Sequence, residues 1–127
     1  PFMAESPVLI DWLPWHHVFG GLDNLFKMIW NGGTMHVDAP PGPDSMDATV
    51  RLFAEVSPTV HIGVPLGLKL LVERFERDPA AARAFTAKLK AIFFAGAGID
   101  DGLWQRLRSV QECEPPALTV GVMVLLD

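Results

Sequence analysis

Cysteine occurs once, at Cys113, and tyrosine not at all. A lone thiol rules out an intrachain disulfide and with it the stapled small-domain class; it suits a reducing cytoplasm. Lysines and arginines form no cluster beyond isolated pairs such as Lys88 and Lys90, and the net charge is −5. Sequence-independent binding of nucleic acid needs a basic stripe, so nucleic acid is set aside as a partner. Acidity leaves phosphate-bearing small molecules open, because backbone N–H groups and a few cations hold phosphates locally. The longest apolar run, Ala117 to Leu126, is about half of what spans a bilayer. No basic segment precedes an apolar stretch at the start, so no secretory signal is read there and a cytoplasmic location is expected. No serine stands in a G-x-S-x-G elbow, and Cys113 lacks an evident base partner. No catalytic nucleophile is therefore assigned.

Half of the residues are apolar, which suits one domain with a packed core. Strand-like and helix-like segments alternate. Val8 to Leu13 reads as strand, and Val18 to Trp30 as helix with Phe19, Leu22, Leu25, Phe26 and Ile29 on one side. Asn31-Gly32-Gly33 ends that helix, and Thr34 to Val37 is a second strand. A proline-dense loop leads to a helix capped by Asp44 or Ser45, with Met46, Val50, Phe53 and Val56 at helical spacing. Thr59 to Val64 is a third strand, closed by Pro65 at the head of a helix that buries Leu68, Leu71, Val72 and Phe75. After Asp78-Pro79 comes a short helix with Ala82, Phe85 and Leu89, then a fourth strand, Ala91 to Ala95. Leu103, Trp104, Leu107 and Val110 mark a last helix, and Ala117 to Leu126 can form a further strand. Apolar strands separated by helices predict an α/β fold with a mostly parallel sheet flanked by helices.

Two segments carry candidate chemistry. Asp11 to Gly20 reads D-W-L-P-W-H-H-V-F-G at the mouth of the first strand. Aromatics, titratable rings and unhindered glycine backbone at that place suit a small-molecule site. The same residues also suit a plain core strand whose histidines are ordinary hydrogen-bonding groups. Farther on, Ala95-Gly96-Ala97-Gly98 is a small-residue turn between a strand and a helix opened by Asp100 and Asp101. It matches neither the G-x-G-x-x-G of a dinucleotide site nor a phosphate loop. A metal alternative rests on His36, Asp38 and His61, the first two on one face of a strand and the third on an expected neighbouring strand. With no H-E-x-x-H and no histidines at i and i+4, no metal ligand is assigned.

Together and in this order, Pro14-Trp15-His16-His17-Val18-Phe19-Gly20, Asn31-Gly32-Gly33-Thr34, Pro58-Thr59-Val60 through Val64-Pro65, and Ala95-Gly96-Ala97 resemble the adenylate-forming superfamily. That superfamily comprises acyl-CoA synthetases, luciferases and peptide-synthetase adenylation domains. The segments are most similar to bacterial feruloyl-CoA synthase-like ligases. The likeness spans about Val8 to Val110 and leaves 111–127 as a divergent tail. It implies a partial α/β subdomain of the N-terminal domain and an enzyme that joins a carboxylic acid, aromatic or hydrophobic, to CoA with ATP and magnesium. Carried over, it implies that Trp15, His17, Phe19, Gly20 and Val64 bound the acid, with His17 at its junction with the pantetheine channel. It sets Ala95, Gly96 and Ala97 against adenine.

The superfamily's serine- and glycine-rich phosphate loop, its G-x-T-E motif, its ribose-binding aspartate and its C-terminal lysine are all missing from these residues. Thr119-Val120-Gly121-Val122-Met123 stands near the expected G-x-T-E, without the glutamate. The expectation is therefore an internal piece of a longer ligase, inactive alone, binding no cofactor tightly and prone to self-association. Two other readings stay open: a stand-alone α/β nucleotide-binding module, and a truncated product without function.

Overall fold

The computed structural model describes residues 5–40, 42–95, 98–111 and 119–122, with the backbone alone at 19, 111 and 119–122. In chain order the elements begin with β1 (Val8–Asp11), followed by a π-helical stretch (Val18–Asn24) that runs directly into α1 (Leu25–Trp30). Next come β2 (Thr34–Val37), α2 (Met46–Val56), β3 (Val60–Gly63) and α3 (Pro65–Arg77). The chain continues through α4 (Pro79–Thr86), β4 (Ala91–Phe94), α5 (Asp101–Gln111) and β5 (Thr119–Val122). The described strands form one sheet in the order β2-β1-β3-β4-β5, and each neighbouring pair is parallel. The expected α/β architecture is thus the observed one. β5, inside the tail set apart above, pairs Thr119 with Ala91 and Val122 with Phe94.

Helix starts and stops follow local chemistry. Pro65 opens α3, where its missing N–H costs nothing. Asp78 closes α3 and caps α4, its carboxylate accepting from the Ala81 N–H at 3.2 Å. Asp100 caps α5 in the same way, accepting from the Leu103 N–H at 2.7 Å. Gly32 turns the chain after α1 with φ of 64°, a left-handed conformation that disfavours a side chain.

The core lies on both faces of the sheet. Ile10 and Ile92 pack with Phe53, Leu71, Phe75, Phe85 and Leu107 under α2 to α5. On the other face Leu9, Val60 and Ile62 pack with Leu13, Met28 and Ala95. Three phenylalanines knit the first cluster, Phe85 standing 5.0 Å from both Phe53 and Phe75, ring centre to ring centre. Arg106 grips Glu76 with two 2.7 Å bonds and ties α5 to α3.

The apolar side of the helix from Val18 faces outward: Leu22, Phe26 and Ile29 are 56%, 58% and 64% exposed. Its inner side is Gly20, Asn24 and Met28. The reason is that the glycine and asparagine approach the strand mouth closely, as described next, and this fixes the rotation of the whole helix.

Candidate functional site

In a parallel sheet all strands end on the same side. β1, β3 and β4 are successive neighbours, so the segments after Asp11, Gly63 and Phe94 meet at one edge. Those segments are the aromatic–histidine loop, Val64-Pro65, and Ala95. Ligands of open α/β sheets bind outside the carboxyl ends of the strands.

The loop is shaped by a few bonds. Leaving β1, the backbone turns so that Leu13 N–H donates to the Asp11 carboxylate at 3.2 Å. His17 N–H donates to the Pro14 carbonyl at 3.1 Å, and Gly21 N–H to the His17 carbonyl at 2.8 Å. Trp15, His16 and His17 all face solvent, Trp15 by 53%. Behind them the helix start presses onto the turn. A Cβ on Gly20 would lie 2.7 Å from the Pro14 carbonyl oxygen, and one on Gly21 only 1.9 Å from that of Trp15. Bare backbone is therefore required at both positions. The wide helical turns accommodate this contact, and such turns are frequent at functional sites.

Val64 stands one residue before α3 in extended conformation and is half-buried beside the second core cluster. Its carbonyl accepts from Leu68 N–H at 3.2 Å. Ala95 N–H donates to the Gly63 carbonyl at 3.2 Å, and Ala95 itself is buried with Leu13 and Ile62. Gly96 and Ala97 lie outside the described residues, as does the side chain of Phe19. The strand ends thus bring Leu13, Val64 and Ala95 into one cluster, with Trp15, His17 and Gly20 on the loop that leaves β1 and Ala95 offering almost no surface of its own.

Two buried polar residues at this edge were not assigned a role from the sequence. Asp11 is 1% exposed and Asn24 0%. The Asn24 amide donates to Asp11 Oδ1 at 3.2 Å. Burial pushes the Asp11 carboxyl up, against the pull of the Leu13 N–H, the Asn24 amide and the Trp15 indole. An aspartate at the end of an apolar strand was the available signal; its partner thirteen residues on was not visible.

The three residues weighed for a metal do not form one cluster, although Asp38 and His61 border the same small cavity. β1 separates β2 from β3, so His36 and His61 are on strands that do not touch, contrary to the expected neighbouring pair. Asp38 accepts instead from the Thr49 hydroxyl at 2.6 Å and from Ala39 N–H at 2.8 Å. His61 points into the first core cluster, 5.5 Å from Phe85, and burial pulls its pKa down to about 4. Trp12, Asp38, Thr49 and His61 border a cavity of about 20 Å³, room for a single water. Among the described residues no group of three or more His, Cys, Asp or Glu could hold a metal, and no helix is long and apolar enough to cross a membrane.

No curated protein matches the sequence. Solved structures do match the fold. A malonyl-CoA ligase in a ternary product complex with methylmalonyl-CoA and AMP superposes with a TM-score of 0.69 at 22% identity, over 84% of this chain and 22% of that one. A long-chain-fatty-acid-CoA ligase from Archaeoglobus fulgidus gives 0.69 at 13% identity, over 93% of this chain and 23% of that one. This chain therefore spans less than a quarter of the length of either. The family model for AMP-binding enzymes matches residues 2–121, running past Val110 into the tail. On that match the chain belongs to the AMP-binding enzyme family.

Proposed function

We propose that this chain is the part of an ATP-dependent acid–CoA ligase that forms one wall of the acid site and the edge on which adenine rests. One observation carries the reading: in a chain of this family, the loop after β1, Val64 and Ala95 converge at the carboxyl ends of adjacent parallel strands. In the intact enzyme a carboxylate oxygen of the acid attacks the α-phosphorus of ATP, and pyrophosphate leaves. The thiol of CoA then attacks the acyl carbon and AMP leaves. Trp15, Phe19, Gly20 and Val64 bound the acid in this reading, and the Ala95-Gly96-Ala97 turn meets adenine. The exposed Trp15 indole favours an aromatic or other hydrophobic acid, of which a ferulate-type acid is the specific candidate. Magnesium is the companion of the ATP phosphates in such an enzyme. The described residues gather no group of three or more His, Cys, Asp or Glu for it.

His17 sits where the loop enters the wide helix, and its role is to shape the junction of acid and pantetheine. In a full-length ligase carrying this segment, His17→Ala should lower kcat/KM for acid and CoA while KM for ATP stays within a few-fold. His16→Ala should be milder. The isolated chain should show only background exchange of pyrophosphate into ATP, with cinnamic-type acids present. Acid-dependent exchange by the pure chain, or a loss confined to ATP in His17→Ala, would overturn the reading.

A further inference from the structure

We propose that Asp11 and Asn24 form the positioning element of the aromatic–histidine loop, a buried acid–amide pair that fixes where Trp15 and His17 stand. Two points, one at each end of the loop, are tied to one carboxyl oxygen. Leu13 N–H, at the loop's start, and the Asn24 amide, at the end of the wide helix, both donate to Asp11 Oδ1 at 3.2 Å. Removing the carboxyl would release the segment between them.

The pair stands among apolar neighbours. Asp11 follows Leu9 on the same face of β1, and Asn24 precedes Met28 on the inner side of the helix; Leu9, Leu13 and Met28 form one cluster. Two apolar residues of similar shape would fill this place at lower desolvation cost, so the pair's contribution is one of geometry rather than of cohesion. Asp11 Oδ2 and Asn24 Oδ1 are both buried acceptors without a donor. A carboxylate only accepts, whereas an amide at the same place brings a donor beside these acceptors. Burial raises the pKa of the Asp11 carboxyl, while the Leu13 N–H and the Asn24 amide pull it down.

The inference rests on the ligase reading only for what the loop touches, and its test separates the two. Hydrogen exchange of the 127-residue chain, followed by mass spectrometry, reads the loop without any ligand. Asp11→Ala should speed exchange of the amides from Leu13 to Gly21 at least ten-fold while those of β3 and β4 stay protected. Asp11→Asn should restore slow exchange, because its amide keeps an acceptor for Leu13 and adds the hydrogen that Asn24 lacks. Should Asp11→Ala not fold, Asn24→Ala is read in the same way. Unchanged loop exchange in the alanine variant, or an asparagine variant as disturbed as it, overturns the proposal. In a full-length ligase, faster loop exchange together with an unchanged KM for the acid would support the pair and sink the acid-wall reading instead.

Discussion

His61 occupies the middle of a central strand, its ring edge-on to Phe85 and 6% exposed. Burial pulls its pKa down to about 4, so the folded chain holds this ring neutral where an unfolded chain begins to protonate it. Above the ordinary histidine value neither state binds the proton, and His61 leaves stability unaffected by pH. As pH falls from about 6.5 toward 4 the unfolded state takes up a proton that the folded state refuses, and stability drops. The full shift corresponds to about 3 kcal/mol. Thermal melts between pH 7.5 and 4.5 should show a falling midpoint in the native chain and a shallower fall in His61→Phe. Buried Asp11, whose shift has the opposite sign, acts equally in both proteins and cancels in the difference. Parallel curves would mean that the ring reaches water. In sequence, His61 and His36 looked alike, both in apolar strands; what separated them was strand order, which no local pattern carries.

The wide helix from Val18 to Asn24 and its continuation in α1 show where element-level reading succeeds and where it stops. Strand β2 has the bounds that its sequence suggests, Thr34 to Val37, because glycine and proline punctuation brackets it closely. α3 buries Leu68, Leu71, Val72 and Phe75 as its spacing implies. The helix after the loop is oriented by Gly20, Gly21 and Asn24 at the strand mouth rather than by its apolar residues. Periodicity finds the apolar stripe, but the assumption that the stripe faces inward fails when a tight backbone contact fixes the rotation. That contact is testable at Gly21, whose added Cβ would meet backbone atoms of Trp15, the carbonyl oxygen at 1.9 Å. Backbone cannot swing aside as a side chain can, so Gly21→Ala should destabilise by about 2 kcal/mol or more. Gly42→Ala is the control, since its nearest neighbour is the Ser45 hydroxyl at 3.9 Å; it should stay within about 0.5 kcal/mol. Urea unfolding of both variants checks the contrast. Equal stabilities would mean that the turn at Trp15 is looser than its geometry implies.

At the scale of the molecule the two faces of the sheet are covered unequally. Among the described residues, α2 to α5 build a broad cluster on one face, while the other is covered by the helical segment 18–30 around Met28. The outer side of that segment is itself apolar: Val18, Leu22, Phe26, Ile29 and Trp30 are exposed, Trp30 by 90%. Residues four apart along a helix share a face, so Val18, Leu22, Phe26 and Trp30 form a continuous stripe. An apolar stripe of this extent on the surface marks something that packs against it. In an enzyme several times as long as this chain, further layers of the same domain are the natural cover. In the chain by itself, a second copy is the available substitute. Burying such side chains contributes roughly 1–2 kcal/mol each, enough in sum to hold a micromolar dimer. Sedimentation velocity at micromolar concentration should therefore show association, and a hydrophobic dye should bind at lower concentration, where the stripe is free. Leu22→Glu combined with Phe26→Lys should return the chain to a monomer and remove dye binding, with the far-UV circular dichroism unchanged because neither side chain is in the core. A native chain that sediments as a monomer, melts cooperatively and binds no dye would show that the stripe needs no cover, and that the sheet with one helical segment on this face is stable as it stands.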